Sequence, residues 1–176
     1  MLIRQATLQD IPKIAQLERQ HLSDELDGDS ATMTGQSYSA NDLNKILNTG
    51  WIVVAEIDTR IIGYVIAGSW HFFTQFSIYK HIVKQLSNTG FNGVNLNESN
   101  SCQYGPIWIA SIHRGQGIFE KLVDKVRQLS RKKYSHMVTF IAEANQHSYF
   151  AHTKKGQMQI IDFFDFDNQG YYLLCD

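Results

Sequence analysis

Residues 106–129 constrain the fold of this chain more than any other stretch. Pro106-Ile107-Trp108-Ile109-Ala110 is a short apolar strand, and Gly115 and Gly117 mark a turn after it. Beyond the turn, Ile118, Phe119, Leu122, Val123, Val126 and Leu129 recur at helical spacing, with Glu120, Lys121, Asp124, Lys125 and Arg127 opposite. Arg131, Lys132 and Lys133 then fall in the last turn, where cations suit the helix dipole. A strand that feeds such a helix must lay its apolar face on a sheet, so the chain belongs to the α/β class. The N-terminus of the helix leaves amide groups without partners and carries partial positive charge. Glycines let that backbone approach an anion, and Arg114 adds charge, so the segment suits phosphate. An ordinary strand–turn–helix is the alternative reading of the same residues. The turn is not a P-loop, because no Gly-Lys-Ser/Thr follows. Nor is it the dinucleotide fingerprint, which needs a third glycine.

The flanking segments extend this into a mixed sheet with helices on both faces. Residues 2–6 read as a strand, and Thr7-Leu8-Gln9-Asp10 has capping-box spacing ahead of a helix bearing Ile11, Ile14, Ala15 and Leu22. Residues 23–40 read as a polar loop or poorly packed helix, with a short helix near 42–47. The apolar runs 51–57 and 61–67 form a hairpin across Asp58-Thr59-Arg60. Residues 71–86 put Phe72, Phe76, Tyr79, Val83 and Leu86 on one helical face, and 87–103 read as a long loop. A strand at 137–144, a short helix at 148–155 ended by Gly156, and a hairpin of 158–166 with 170–175 close the chain. The run Asp165-Phe166-Asp167-Asn168-Gln169-Gly170 mimics the oxygen spacing of a calcium loop, but flanking strand-like aromatics make it a hairpin turn.

Composition narrows the function. With 176 residues, 43% of them hydrophobic, the chain is expected to form one domain over 1–176 with a sizeable core. Sixteen basic against seventeen acidic residues supply no field for nucleic acid or an anionic membrane. No apolar run approaches a membrane span, and the first residues do not read as a signal peptide, so a cytoplasmic protein is expected. Cys102 and Cys175 are too few for a disulfide framework or a CxxC metal site, and no metal is expected. Sheet edges and the aromatic C-terminal hairpin could support a homodimer.

Arg114-Gly115-Gln116-Gly117 resembles the pyrophosphate-binding Arg/Gln-x-x-Gly-x-Gly/Ala motif of the GCN5-related N-acetyltransferases (GNAT). Three further segments resemble that family in order and spacing: Ile3-Arg4-Gln5-Ala6-Thr7 with Asp10, Val54-Ala55-Glu56 with Ile61-Ile62-Gly63-Tyr64, and Asn145, Ser148, His152 and Gly156. The resemblance implies a mostly antiparallel sheet with a helical insertion, about 71–103, between the third and fourth strands. It also implies acetyl-CoA as co-substrate. The backbone of Ile107 and Ile109 would pair with the pantetheine arm. Amides of Arg114, Gly115, Gln116, Gly117, Ile118 and Phe119 would hold the pyrophosphate, and Asn145, with Ser148 beside it, would face pantetheine. Phe119 stands where the motif usually has Gly or Ala, His152 where many members carry Tyr, and Gln157 where an aromatic is usual.

The implied reaction moves an acetyl group directly to a primary amine on a small molecule or peptide. An amine with pKa ~10.4 is neutral in only about one molecule in 2,500 at pH 7, an obstacle of roughly 4.6 kcal/mol, so a base is needed. Glu143, near the end of its strand, is the candidate base, with Glu56 a weaker one. The amide of Ile109 is the candidate oxyanion donor. His152 is the candidate acid for the departing thiolate. His71, Phe72, Gln75 and Tyr79 would line an aromatic acceptor wall. A non-catalytic acyl-CoA-binding module and transfer to a hydroxyl are the competing readings.

Overall fold

The computed structural model describes residues 1–21 and 37–176. The reading of 23–36 as loop or loose helix lies outside the described residues. Among those described, a seven-stranded sheet runs in the order β1-β2-β3-β6-β7-β9-β8. Its strands are β1 (Leu2–Gln5), β2 (Trp51–Ile57), β3 (Arg60–Gly68), β6 (Ser101–Ile109), β7 (His136–Ala142), β8 (Gln159–Phe166) and β9 (Gln169–Cys175). A two-stranded ribbon, β4 (Gly90–Phe91) with β5 (Val94–Asn95), lies in the connection before β6. Every neighbouring pair is antiparallel except β6 with β7.

Helices cover both faces. Helix α1 (Ile11–His21), α2 (Ala40–Thr49), α3 (Trp70–Phe73) and α4 (Ser77–Leu86) bury Ile14, Leu43, Phe73 and Ile82 with Ile52, Tyr64 and Trp108 on one side. On the other, α5 (Ile118–Ser130) packs Leu122, Val123 and Val126 against Val53, Ala55, Val65 and Cys102. Removing these apolar surfaces from water is the main force holding both layers to the sheet. The capping box at Thr7 forms: the Thr7 amide and hydroxyl both donate to Asp10 Oδ2, at 2.7 and 2.9 Å. Arg4 then bridges Asp10 at 2.7 Å to Glu56 at 2.5 Å, tying β1 to β2 and to the 3₁₀ turn (Leu8–Asp10) that leads into α1.

Four local expectations are corrected. The hairpin at 58–60 turns on two residues, Asp58 and Thr59, both with positive φ, because Arg60 already pairs with Ile57. Residues 70–86 are not one helix. On a continuous helix Phe73 and Ile82 would point to opposite sides. A break after Phe73 lets α3 bury Trp70 and Phe73 while α4 buries Ile78, Tyr79, Ile82 and Leu86. The 87–103 segment is not all loop, since β6 begins at Ser101. Ser101 and Gln103 are buried polar residues that disguise this strand: Ser101 accepts from the Trp70 indole at 3.0 Å, and the Gln103 amide donates to the Tyr104 carbonyl at 2.9 Å. Downstream, the Asp167–Asn168 pair makes the β8–β9 turn, and the helix after Asn145 starts earlier than the spacing suggests, as α6 (Gln146–Phe150) followed by a π-helical turn over Ala151–Lys155.

Candidate active site

The sheet opens in its middle. Strands β6 and β7 pair only through Ser101, Cys102 and Gln103 with His136, Met137 and Val138. Beyond Gly105, β6 stays with β3 while β7 stays with β9. The Ala110 amide donates to the Ile62 carbonyl at 2.9 Å. Because an antiparallel ladder alternates, Ile109 and Ile107 turn their own N–H and C=O the other way, into the opening. Arg114 Nε donates to the Ile109 carbonyl at 3.0 Å from that side. The backbone of Ile107 and Ile109 is therefore available to an extended ligand lying along β6.

At the open end, a short 3₁₀ turn (Ser111–His113) leads into Gly115 and Gly117, with φ of 76° and 73°. This left-handed backbone is the region glycine occupies without penalty. No side chain caps α5, and a Cβ placed on either glycine would meet nothing within 4 Å. The first amides of α5 are thus left without a side-chain cap, at the positive end of its dipole. Gln116 donates from Nε2 to the Ile112 carbonyl at 3.2 Å, which folds its side chain back onto the turn. Glu120, in the first turn of the helix, lies 4.0 Å from the Lys155 ammonium. Ile118 is buried, and the Phe119 ring packs against His152 with ring centres 5.0 Å apart.

Across the opening, Asn145 caps α6, its Oδ1 accepting from the Ser148 amide at 3.0 Å. That spends one oxygen contact on the helix end rather than on a ligand. His152 does not suit the acid role. It is 4% exposed, and burial pushes its pKa down to about 4. Its Nδ1 lies 2.7 Å from the Ser148 carbonyl, to which the ring donates its Nδ1 proton. The aromatic rings of Tyr104 and Phe119 enclose it. Glu56 is held in an ion pair with Arg4. Glu143 is exposed at the end of β7, with its amide bonded to the Gly170 carbonyl at 2.9 Å. Its Oε2 lies 3.0 Å from where a Cβ on Gly170 would stand, on the α5 side of the sheet.

The four acceptor-wall residues separate. His71 and Gln75 are exposed, and Gln75 donates to the Phe72 carbonyl at 3.1 Å. Phe72 is half-buried with its ring 6.0 Å from Tyr38, and Tyr79 is buried, its hydroxyl 3.4 Å from that of Tyr38. Tyr79 also meets Phe140 of β7, with ring centres 5.3 Å apart. Only Phe72 and Tyr79 join a common cluster. Sequence reasoning missed Glu18, a carboxylate 6% exposed in that cluster. The signal was its spacing: Glu18 follows Ile14 by one helical turn, on the apolar face of α1.

The comparisons agree with this architecture. The family model for the acetyltransferase (GNAT) family matches residues 17–156. No curated protein sequence is significantly similar to the chain. Among solved structures, a ribosomal-protein-alanine N-acetyltransferase from Brucella melitensis superposes with TM-score 0.68 at 18% identity, covering 100% of this chain and 99% of its own. A phosphinothricin acetyltransferase from Sinorhizobium meliloti, solved in complex with AcCoA, gives 0.66 at 18%, covering 99% and 86%. An acetyltransferase of the GNAT family from Streptococcus pneumoniae gives 0.64 at 15%, covering 99% and 97%. Among the described residues no helix is long and apolar enough to cross a membrane. With most of its length matched by the family model, the chain belongs to the GNAT acetyltransferase family.

Proposed function

We propose that the whole chain, as one domain, transfers an acetyl group from acetyl-CoA to a primary amine in a ternary complex. The observation that carries this reading is the uncapped, glycine-bounded start of α5 standing over an opening into which Ile107 and Ile109 present their backbone. The fit to acetyl-CoA is chemical as well as steric. Amides from Gly115 to Phe119 suit the pyrophosphate, and the outward backbone of Ile107 and Ile109 suits the amides of pantetheine. Asn145 and Ser148 form the facing wall. Bound there, acetyl-CoA supplies an activated acyl carbon. The chain's own work is to orient that carbon, offer the Ile109 amide to developing negative charge, and exclude water. The thiolate leaves readily at pKa near 8.5, so a dedicated acid adds little. That is compatible with a neutral, buried His152.

The acceptor side is the α1–α4 face, where Phe72 and Tyr79 sit with Tyr38, Tyr64 and Trp108. An aromatic wall with few charges favours an amine on an apolar body over a polyamine. The absence of a membrane-spanning helix among the described residues is in keeping with action on a dissolved acceptor in the cytoplasm. The test is free-thiol release from acetyl-CoA over a panel of amines and alcohols. Turnover with amines alone is expected. Calorimetric binding of acetyl-CoA with no turnover on any acceptor would favour a non-catalytic module, and turnover with alcohols alone would favour O-acyl transfer.

A further inference from the structure

Glu18 lies in the middle of α1, on the face of the sheet opposite α5, and is 6% exposed. Its Oε1 accepts from the Tyr64 hydroxyl, and its Oε2 from the Tyr38 amide at 3.3 Å. Among the described residues no lysine, arginine or histidine pairs with it. This is costly in an apolar surrounding, where a carboxylate normally acquires a cation or gives up its charge. Burial accordingly raises its pKa. The remaining ion pairs of the described residues lie elsewhere, around Arg4, Arg127, Arg131 and Lys155. Glu18 is therefore a carboxyl that would hold its charge best beside a cation, and the described part of the chain supplies none.

Its place in the fold says where that cation would come from. The Tyr64 ring lies against the Trp108 indole, centroids 5.7 Å apart and planes tilted by 30°. Trp108 stands between Ile107 and Ile109, the two residues whose backbone faces the opening in the sheet. A line of contacts thus runs from the cleft edge through Trp108 and Tyr64 to the carboxylate. Tyr38, whose amide donates to Glu18, also packs its ring against Phe72 and Phe76, and Phe76 packs against Tyr79. A negative group at the end of an aromatic wall is the chemistry that recognises an ammonium on an apolar body.

We propose that Glu18, oriented by Tyr64, receives the ammonium of the acceptor and takes its proton. This deepens the transferase reading above and rests on it. The ammonium N–H bond breaks and the proton passes to the Glu18 carboxylate. The freed nitrogen pair forms the bond to the acyl carbon of acetyl-CoA, and the carbon–sulfur bond breaks with its electrons leaving on sulfur. A second proton lost from nitrogen neutralises the thiolate, and Glu18 releases its own to solvent, which balances one ammonium and one acetyl-CoA against one amide, coenzyme A and one proton. Glu18 is thereby a catalytic residue, whereas Tyr64 is a positioning residue.

The experiment titrates the coenzyme A complex with 2-phenylethylamine and with 2-phenylethanol by calorimetry at pH 7.5, for the wild type, Glu18→Gln and Tyr64→Phe. The wild type is expected to prefer the amine by at least about tenfold, and Glu18→Gln to lose that preference while binding coenzyme A within twofold. Tyr64→Phe should reduce the preference only in part. With acetyl-CoA, Glu18→Gln should lower kcat/KM for 2-phenylethylamine by about 10²-fold and leave the KM for acetyl-CoA unchanged. Thermal melting separates a structural role: at pH 8 Glu18→Gln should melt no lower than the wild type, since it removes a buried charge. No amine preference in the wild type, an equal preference in Glu18→Gln, or a melting point lowered by more than about 5 °C overturns the proposal. A wild type that binds the amine but not coenzyme A overturns the transferase reading instead.

Discussion

At the scale of single residues, charge and conformation decide what each group can do. Gly117 combines a φ of 73° with empty space where a side chain would begin. Gly117→Glu is expected to cost about 1–3 kcal/mol of backbone strain and to set a carboxylate against the phosphate site. Calorimetry should find coenzyme A binding abolished while circular dichroism stays native; unchanged affinity would place the phosphates elsewhere. His152 gives a pH prediction. Its folded pKa of about 4 is below the ordinary histidine value of 6.5, so the unfolded chain binds its proton first. The resulting stabilisation is complete above pH 6.5 and is lost as pH falls toward 4, by on the order of 3 kcal/mol. His152→Phe should flatten that part of the urea-unfolding stability curve. Its turnover should fall by less than about fivefold, against the much larger loss expected of an acid. His152 and Glu18 show why residue roles were only half legible in the sequence. The resemblance to the family placed His152 where many members carry Tyr, but nothing in a one-dimensional string says that its proton is held by the Ser148 carbonyl. Glu18 broke the apolar rhythm of α1, and only burial turned that irregularity into a charged group with a task.

At the scale of elements, what was legible follows hydrophobic period, and what was not follows tertiary contact. Helix α5 and the β2–β3 hairpin carry clean periods of 3.6 and apolar β-branched runs; α5 forms as read, and the hairpin forms with a turn one residue shorter. The start of β6 carries Ser101 and Gln103, whose burial depends on Trp70 and on pairing with β7, so its sequence resembles a loop. The α3–α4 break likewise serves two separate burial sites. One tie between elements is not visible until the fold brings the ends together. Asp176 accepts from Arg127 at 2.5 Å and from the Met137 amide at 2.9 Å, and its carboxylate lies 3.3 Å from Arg131. This clamps α5 to β7 and β9 at the closed end of the split. Asp176→Ala strands the Met137 amide and loosens Arg127, which keeps Asp124 and the Gly156 carbonyl. The expected loss is about 2 kcal/mol in urea unfolding, with a weaker grip on coenzyme A following only if the start of α5 moves with its end.

At the scale of the whole molecule, the sheet is two half-sheets that share three residue pairs. One half, β1-β2-β3-β6, is braced by α5 on one side and by α1 and α2 on the other; the second half is β7-β9-β8. Everything proposed for the cofactor lies where these halves diverge, and everything proposed for the acceptor lies on the α1–α4 face beside that opening. Such a layout implies a particular pattern of ligand protection. In the free protein the amides of Ile107 and Ile109 have no strand partner on their side of β6, whereas the Ala110 amide is held by Ile62. Amide hydrogen exchange should therefore be fast at 107 and 109 and slow at 110. Adding acetyl-CoA should slow exchange at Ile107, Ile109 and Gly117 through Phe119 by tenfold or more. The β1–β2 and β8–β9 pairs, already bonded on their shared side, should change by less than twofold. Protection spread evenly over the sheet would mean that ligand binding acts only through global stability. Protection confined to the α5 turn, with 107 and 109 unchanged, would leave the phosphate grip intact but remove the pantetheine arm from β6.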